Sequence, residues 1–141
     1  MNRIGQILED TGPAVLALST KEGYPHMRWM TPALLKGHEG VLYAVSTPEF
    51  AAKLSRDYTG KVEWMLQKKT LQEVLRIKGQ MTVIDNPSLR SEVMACIGEK
   101  LRTFWKVNPD STDFIILETV FQNVTHFDPL SGETEAVKFL D

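Results

Sequence analysis

One arginine in an otherwise apolar strand is the first residue whose setting suggests chemistry. Arg28 lies in the run His26-Met27-Arg28-Trp29-Met30-Thr31, where alternation places it on the same face as Met30 and opposite to Trp29. A guanidinium among large apolar groups requires an anion or several acceptors, so the run is consistent with a phosphate or carboxylate site. Two alternatives stay open at this point: a salt bridge to an internal Asp or Glu, and an outward-facing arginine.

A predicted helix start supplies two further candidate ligands for an anion. Thr47-Pro48-Glu49 is typical of a helix N-terminus, because threonine is a good cap and proline suits the first helical position. The free N–H groups of such a terminus attract anions, and the Thr47 hydroxyl and the Lys53 ammonium could both reach a phosphate oxygen. In the alternative interpretation, Thr47 only caps the helix and Lys53 pairs with Glu49 or Asp57.

The elements that must position these residues follow a mainly β pattern. We predict helices over 2–10, 48 to about 58 and about 88 to 105, and strands over 14–20, 24–36, 41–46, 61–67, 71–85 and 113–127. Tight turns join the first strands, and the sequence has neither regular βαβ alternation nor a Gly-rich phosphate loop. The sequence therefore predicts an antiparallel β-barrel with inserted helices, in a single domain over residues 1–141.

The composition is that of a soluble globular protein. The 141 residues carry a formal net charge of −2, with 43% hydrophobic and 24% charged residues, so no nucleic-acid binding is predicted. No stretch approaches the roughly 18 apolar residues of a membrane helix, and the N-terminus does not resemble a signal peptide. Cys96 is the only cysteine, and its apolar neighbours predict a core position. We therefore expect a cytoplasmic protein without a membrane partner.

Five segments between about residue 10 and residue 127 form an ordered pattern. They are Gly23-Tyr24-Pro25-His26-Met27-Arg28, Leu42-Tyr43-Ala44-Val45-Ser46-Thr47, Phe50-Ala51-Ala52-Lys53-Leu54, Val74-Leu75-Arg76-Ile77-Lys78-Gly79-Gln80-Met81, and the Asp85 that precedes the second long helix. This pattern resembles the FMN-binding split barrels related to pyridoxamine 5′-phosphate oxidase, in particular their general stress protein 26-like branch. The resemblance implies a split β-barrel, FMN as the cofactor, and a homodimer that holds the flavin at its subunit interface.

The resemblance also implies roles for individual residues around the flavin. The phosphate would be held by Arg28, Thr47 and Lys53, the isoalloxazine ring would be lined by Trp29, Met30 and Ser46, and the partner subunit would cover the flavin with Gln67 and Trp105. No residue stands out as a catalytic acid or base. None of the three histidines has metal-ligand spacing, so no metal site is predicted.

The resemblance is compatible with more than one function. A flavin-dependent oxidoreductase of unknown substrate is the first expectation, and a non-catalytic flavin-binding or stress-response protein is the second. A related barrel that binds haem or a deazaflavin is the third, with His126 as the best candidate for a haem ligand. True pyridoxamine phosphate oxidases carry an Arg-rich C-terminal segment, whereas no arginine follows Arg102 here, so vitamin B6 oxidation is not expected.

Overall fold

The computed structural model of the chain describes residues 2–10, 13–97 and 114–139. Its elements are α1 (Asn2–Asp10), β1 (Ala14–Thr20), β2 (Pro25–Met30), β3 (Pro32–Ala33), β4 (Val41–Ser46), α2 (Pro48–Asp57), β5 (Tyr58–Gln67), β6 (Val74–Ile84), α3 (Pro87–Ile97), β7 (Ile115–Phe127) and β8 (Thr134–Ala136). Among the described helices, none is long and apolar enough to cross a membrane.

The described strands form one antiparallel sheet that curls on itself. Their order is β2-β1-β5-β6-β7-β4-β3, with β8 paired to β7. Strands β2 and β3 lie at opposite ends of this order, although only Thr31 separates them in the chain. The sheet must therefore bend until its two ends meet at this residue, which produces a barrel that is split rather than fully hydrogen-bonded. The predicted antiparallel split barrel is confirmed.

The main hydrophobic core fills the interior of the curled sheet. Strand residues enter it at alternate positions, as the two-residue period of a strand requires. Its fully buried members include Leu16, Leu18, Trp64, Leu66, Leu75 and Ile77, and α1 adds Ile4 and Ile7. The indole N–H of Trp64 donates to Oγ1 of Thr119 at 3.0 Å, so the largest buried side chain has its hydrogen bond satisfied.

A second, smaller core lies against the outer face of β4. Tyr43 and Val45 of that strand pack there with Leu89 and Val93 of α3, while the alternate residues of β4 face the main core. Strand β4 is therefore covered on both faces. The last residue of the strand, Ser46, alternates with Leu42 and Ala44 and is 2% exposed.

The structure corrects the predicted start of β6. We expected a strand from residue 71, but Leu71 has a φ of +60°, is exposed and belongs to the turn before Val74. The apolar alternation begins before the true start of the strand, and for this reason the sequence pattern placed the start of β6 too early. The predicted strand over 24–36 is also shorter, since it consists of β2 and β3 and ends at Ala33.

One other prediction was wrong, one strand was not predicted, and part of one predicted helix lies outside the described residues. Cys96 is exposed, and its Sγ lies 3.4 Å from the carbonyl oxygen of Leu34. Leu89 and Val93 are buried residues of α3, and Cys96 follows at the i, i+4, i+7 spacing in the last turn, where it is exposed. The tail after β7 contains β8, which the polar sequence did not predict. The second half of the helix predicted from 88 to 105 lies outside the described residues.

Candidate functional site

Arg28 lies on β2, half-buried, with its guanidinium against an aromatic ring. Its Cζ is 3.9 Å from the centroid of the Phe50 ring, which is a cation–π contact. Burial lowers the pKa of Arg28, and a weaker charge interaction with Tyr58 raises it. The Nε of Arg28 is buried and has no hydrogen-bond partner among the described residues. Within those residues, Arg28 is thus neither fully exposed nor paired with a carboxylate.

Phe50 joins the guanidinium to the first turn of α2. The backbone N–H of Phe50 donates to Oγ1 of Thr47 at 3.3 Å, and Pro48 occupies the first turn, so the predicted helix start is confirmed. The first N–H groups of a helix carry partial positive charge and lack partners inside the helix. The hydroxyl of Thr47 accepts one hydrogen bond and can still donate its own proton to a ligand.

Ser46 adds a second buried polar atom without a partner. Its Oγ, like Nε of Arg28, has no hydrogen bond to any described residue, although Ser46 precedes the cap directly. A buried hydroxyl left without a hydrogen bond costs roughly 1–3 kcal/mol, so such atoms in folded proteins point to an absent partner. A guanidinium, two hydroxyls and a helix N-terminus are the donors that a phosphate group requires. The residues at this helix start therefore fit a phosphate.

Lys53 lies one helical turn after Phe50 on the same face of α2. It makes no ion pair with Glu49, Asp57 or any other residue that the structure describes, so the predicted alternative for Lys53 is not observed. Its side chain lines a cavity of about 500 Å³ next to the Arg28 site. The other lining residues are Thr20, Lys21, Glu22, Tyr24, Pro25, His26, Arg56, Asp57 and Tyr58.

The residues predicted at the flavin ring are not gathered in one place. Met30 is buried in the main core, on the same side of β2 as Arg28. Trp29 lies on the opposite, outer side of β2 and is 73% exposed. Gln67 is exposed at the end of β5, and Trp105 lies outside the described residues. The structure therefore brings the phosphate candidates Arg28 and Thr47 together, buries the ring candidates Met30 and Ser46, and leaves the ring candidate Trp29 exposed.

His126 has a structural environment of its own. It is almost fully buried, with Nε2 at 3.0 Å from Glu73 and Nδ1 at 3.9 Å from Glu135. The hydrogen bond from Lys68 lowers the pKa of Glu73; burial opposes this shift, and the hydrogen bond with His126 adds to it. Because both ring nitrogens of His126 face carboxylates, the geometry does not favour this residue as a haem ligand.

Sequence reasoning missed the role of Phe50 as the platform for the guanidinium. Its position four residues before Leu54 and eight before Tyr58 predicted only that it faces inward. The pairing of His26 with Tyr58 was also missed: Nδ1 of His26 lies 2.5 Å from the Tyr58 hydroxyl, and the two rings are stacked. Both contacts join β2 to residues at the start of α2 or directly after its end. Residue spacing within a single helix or strand cannot predict contacts between elements that are distant in sequence.

No protein-family model matches the sequence, and no curated protein matches it. Solved structures do match. A Clostridium acetobutylicum protein related to general stress protein 26, of the pyridoxinephosphate oxidase family, gives a TM-score of 0.69 at 12% identity over 97% of this chain and 92% of that chain. A pyridoxamine 5′-phosphate oxidase-related, FMN-binding protein of Nostoc punctiforme gives 0.63 at 12% identity over 99% and 95%. The haem storage protein of Vibrio cholerae gives 0.63 at 16% identity over 87% and 91%.

At these identities the matches establish the fold. The chain has the split-barrel fold of pyridoxamine phosphate oxidase-family and general stress protein 26 structures, as the resemblance in sequence predicted. Proteins of this fold include both an FMN binder and a haem storage protein, so the fold by itself does not select the ligand.

Proposed function

We propose that this protein binds FMN by its phosphate group and is a flavin-dependent oxidoreductase. The observation that carries the proposal is the pair of buried atoms without partners, Nε of Arg28 and Oγ of Ser46, beside the N-terminus of α2. A phosphate would accept hydrogen bonds from both atoms and would offset the desolvation of the guanidinium. An FMN-binding protein with the same fold supports flavin as the molecule that carries this phosphate.

Each residue of the proposed site has a separate task. Arg28, Ser46 and Thr47 would donate hydrogen bonds to the phosphate, and Lys53 would approach it from the side of the cavity. The ring would lie towards Trp29 and the backbone of Met30. Bound FMN would supply the redox chemistry, while the protein binds it, orients it and limits its contact with water. Vitamin B6 oxidation is not part of the proposal.

In this proposal the functional unit is a homodimer. Met27 and Trp29 project from the outer face of β2 and are 60% and 73% exposed. They pair in register with Ala17 and with the half-buried Val15 on β1, so the apolar surface continues across two strands. Exposed Met and Trp side chains on one face are typical of a protein interface. A second copy on this face is the partner that would cover the flavin, with Gln67 as one of its contacts.

Flavin binding can be tested on Arg28 directly. We expect Arg28→Met to raise the dissociation constant for FMN by about 10- to 100-fold, since a hydrogen bond to a charged group contributes about 1.5–3 kcal/mol. Isothermal titration calorimetry of the purified protein with FMN measures this change. Methionine keeps apolar contact with Phe50, which limits the loss of packing.

Arg90 provides a matched control. Like Arg28, it makes a cation–π contact, with Cζ 5.2 Å from the centroid of the Phe114 ring, and it also forms an ion pair with Asp85. It lies on α3, which contributes no residue to the proposed phosphate site. Arg90→Met should leave FMN affinity unchanged. Equal affinities in wild type and Arg28→Met would refute the phosphate site. Turnover with NAD(P)H and an electron acceptor then distinguishes an oxidoreductase from a flavin carrier.

A further inference from the structure

We propose that the cavity lined by Lys53 contains a second anion site, which takes a phosphate or carboxylate group next to the phosphate held by Arg28. The cavity lies between the β1–β2 turn and the C-terminal half of α2, and its volume is about 500 Å³. The inference rests on the proposed function only for the identity of the ligand at Arg28. The second group belongs either to a longer flavin cofactor or to a separate anionic substrate.

The walls of the cavity are fixed by backbone hydrogen bonds. The N–H of Lys21 donates to the carbonyl oxygen of Asp57 at 2.9 Å, which ties the β1–β2 turn to the end of α2. Thr20 pairs in register with Tyr58, and Oγ1 of Thr59 donates to the carbonyl oxygen of Ser19 at 3.3 Å. The cavity is therefore built into the junction of three elements and is formed before any ligand binds.

The charges that line the cavity favour an anion. The lining includes three basic side chains, Lys21, Lys53 and Arg56, and two carboxylates, Glu22 and Asp57. Asp57 already forms an ion pair with Arg56, with Nε 3.3 Å from Oδ1. Neither Lys21 nor Lys53 pairs with a carboxylate among the described residues. Lys21 on the β1–β2 turn is therefore available to a ligand in the cavity, and Lys53 on α2 lies where an anion in either site would attract it.

His26 and Tyr58 add a polar wall to the same cavity. Their rings are stacked, with centroids 5.9 Å apart and planes 3° from parallel, and Nδ1 of His26 lies 2.5 Å from the Tyr58 hydroxyl. This contact fixes the imidazole ring and leaves Nε2 without a partner among the described residues. Nε2 is therefore the nitrogen that would meet an anion, as a donor when it carries a proton.

The second site adjoins the first through two aromatic rings. Tyr58 lines the cavity, and its ring centroid is 6.4 Å from that of Phe50, whose face carries the guanidinium of Arg28. A ligand with two phosphate groups could therefore span both sites. A mononucleotide at Arg28 would instead leave the cavity to a second molecule.

The first experiment tests the longer cofactor. Calorimetry compares the affinities of the wild-type protein, Lys21→Gln and Lys36→Gln for FMN and for flavin adenine dinucleotide. Lys36 is an exposed lysine in the turn before β4 and is the control. If the cavity holds the second phosphate, the wild type prefers the dinucleotide, and Lys21→Gln alone reduces that preference by about threefold, as expected for an exposed ion pair. If Lys21→Gln retains the full preference for the dinucleotide, the result counts against the cavity as the site of the second phosphate.

The second experiment tests a separate anion. Inorganic phosphate is titrated into the FMN-saturated protein while the imidazole signals of His26 are followed by NMR. A saturable shift with a millimolar dissociation constant, raised about threefold in Lys21→Gln and unchanged in Lys36→Gln, assigns the cavity to a substrate anion. The inference is overturned when neither the dinucleotide preference nor the His26 shift is observed.

The two proposals can fail separately. If the protein does not bind FMN, the same phosphate titration on flavin-free Arg28→Met, in which the first site is removed, still measures the cavity. A His26 shift in that variant supports the second site although the flavin proposal has failed. FMN binding without a dinucleotide preference and without a His26 shift leaves the flavin proposal intact and rejects the second site.

Discussion

At the scale of single residues, the site depends on polar atoms that folding buries without satisfying. Arg28 is half-buried on the face of Phe50, and Ser46 is buried at the end of β4 with no partner for Oγ among the described residues. Each arrangement costs stability in the unliganded protein. A ligand whose negatively charged oxygen atoms accept these hydrogen bonds recovers that cost. We therefore expect some mutations to lower ligand affinity while they raise the stability of the unliganded protein.

Ser46→Ala tests this opposition. Removing a hydroxyl that has no partner is expected to leave the free energy of unfolding unchanged or to raise it by up to about 1 kcal/mol, while FMN affinity falls. Urea unfolding without flavin and FMN titration measure the two effects. Thr119→Val is the contrasting control, because Thr119 accepts a hydrogen bond from Trp64 and its loss should destabilise the protein. A clear loss of stability in Ser46→Ala would show that Oγ has a partner after all.

An anion site at Arg28 was one of three interpretations that the sequence allowed, and the surroundings of this residue could not be predicted. One charged residue in an apolar strand left a salt bridge and an outward-facing arginine open, whereas Thr47-Pro48 was sufficient to predict the helix start that the structure confirms. The contact of Arg28 with Phe50 joins elements that are distant in sequence, so no local spacing reveals it. Ser46 alternates with Leu42 and Ala44 on the core-facing side of β4, so its burial depends on elements distant in sequence and is equally invisible in one strand.

At the scale of elements, the paired strands β6 and β7 approach each other closely at Gly79. The register between these strands shifts between Lys78 and Gly79. A Cβ on Gly79 would lie 2.4 Å from the carbonyl oxygen of Val120, which is backbone and cannot move aside alone. The bulge therefore requires glycine, and the sequence marks it only as one glycine within a strand.

Gly79→Ala should destabilise the fold by about 1–3 kcal/mol, the usual cost of an overpacked core position. Chemical denaturation measures the change. Gly5→Ala is the control, because a Cβ at Gly5 meets no atom within 4 Å and the residue lies inside α1. That control should gain roughly 0.5–1 kcal/mol from helix propensity. Equal stability of wild type and Gly79→Ala would contradict the close approach of the two strands.

The charged groups around His126 connect three segments of the fold, and the lowered pKa of Glu73 among them makes its stability sensitive to acid. Glu73 lies in the turn before β6, His126 on β7 and Glu135 on β8, and Lys68 donates to Glu73 at 2.7 Å. The pKa of Glu73 is lowered from 4.5 chiefly by Lys68, so the unfolded chain takes up the proton first as pH falls. The contribution of Glu73 is complete above its unfolded pKa and is lost as pH falls through the lower, folded value.

Glu73→Gln should therefore remove part of the acid dependence of stability. Urea unfolding of wild type and variant between pH about 6 and about 3 measures it, and the difference between the two curves should shrink as the carboxyl is protonated. The other carboxyl groups titrate in both proteins and cancel in this difference. A constant difference over the whole range would contradict the lowered pKa.

At the scale of the whole molecule, the curled sheet determines which surfaces are left for a partner. The sheet ends at β2 and β3, and the chain passes from one end to the other through Thr31. The inner face of β2 carries the phosphate candidate Arg28, and its outer face carries Met27 and Trp29. One strand thus contributes to the proposed cofactor site and to the proposed dimer interface. Alternation in the sequence predicted these two faces, but it did not predict that β2 lies at an end of the sheet.

Trp29→Lys tests the interface. Light scattering after gel filtration should give a dimer for the wild type and a monomer for the variant, because a lysine at the centre of an apolar contact must be desolvated. Leu130→Lys changes an equally exposed residue in the turn before β8 and should remain dimeric. A monomeric wild type, or a Trp29→Lys dimer of unchanged stability, would contradict an interface on this face.

The central claim is that the helix start beside Arg28 holds the phosphate of a flavin. The most direct measurement is the visible absorbance spectrum of the purified protein after incubation with FMN and removal of free flavin by gel filtration. The predicted result is a flavin spectrum that comigrates with wild type and with Arg90→Met and is lost in Arg28→Met. A colourless wild-type protein, a Soret band in its place, or full flavin retention by Arg28→Met would contradict the claim.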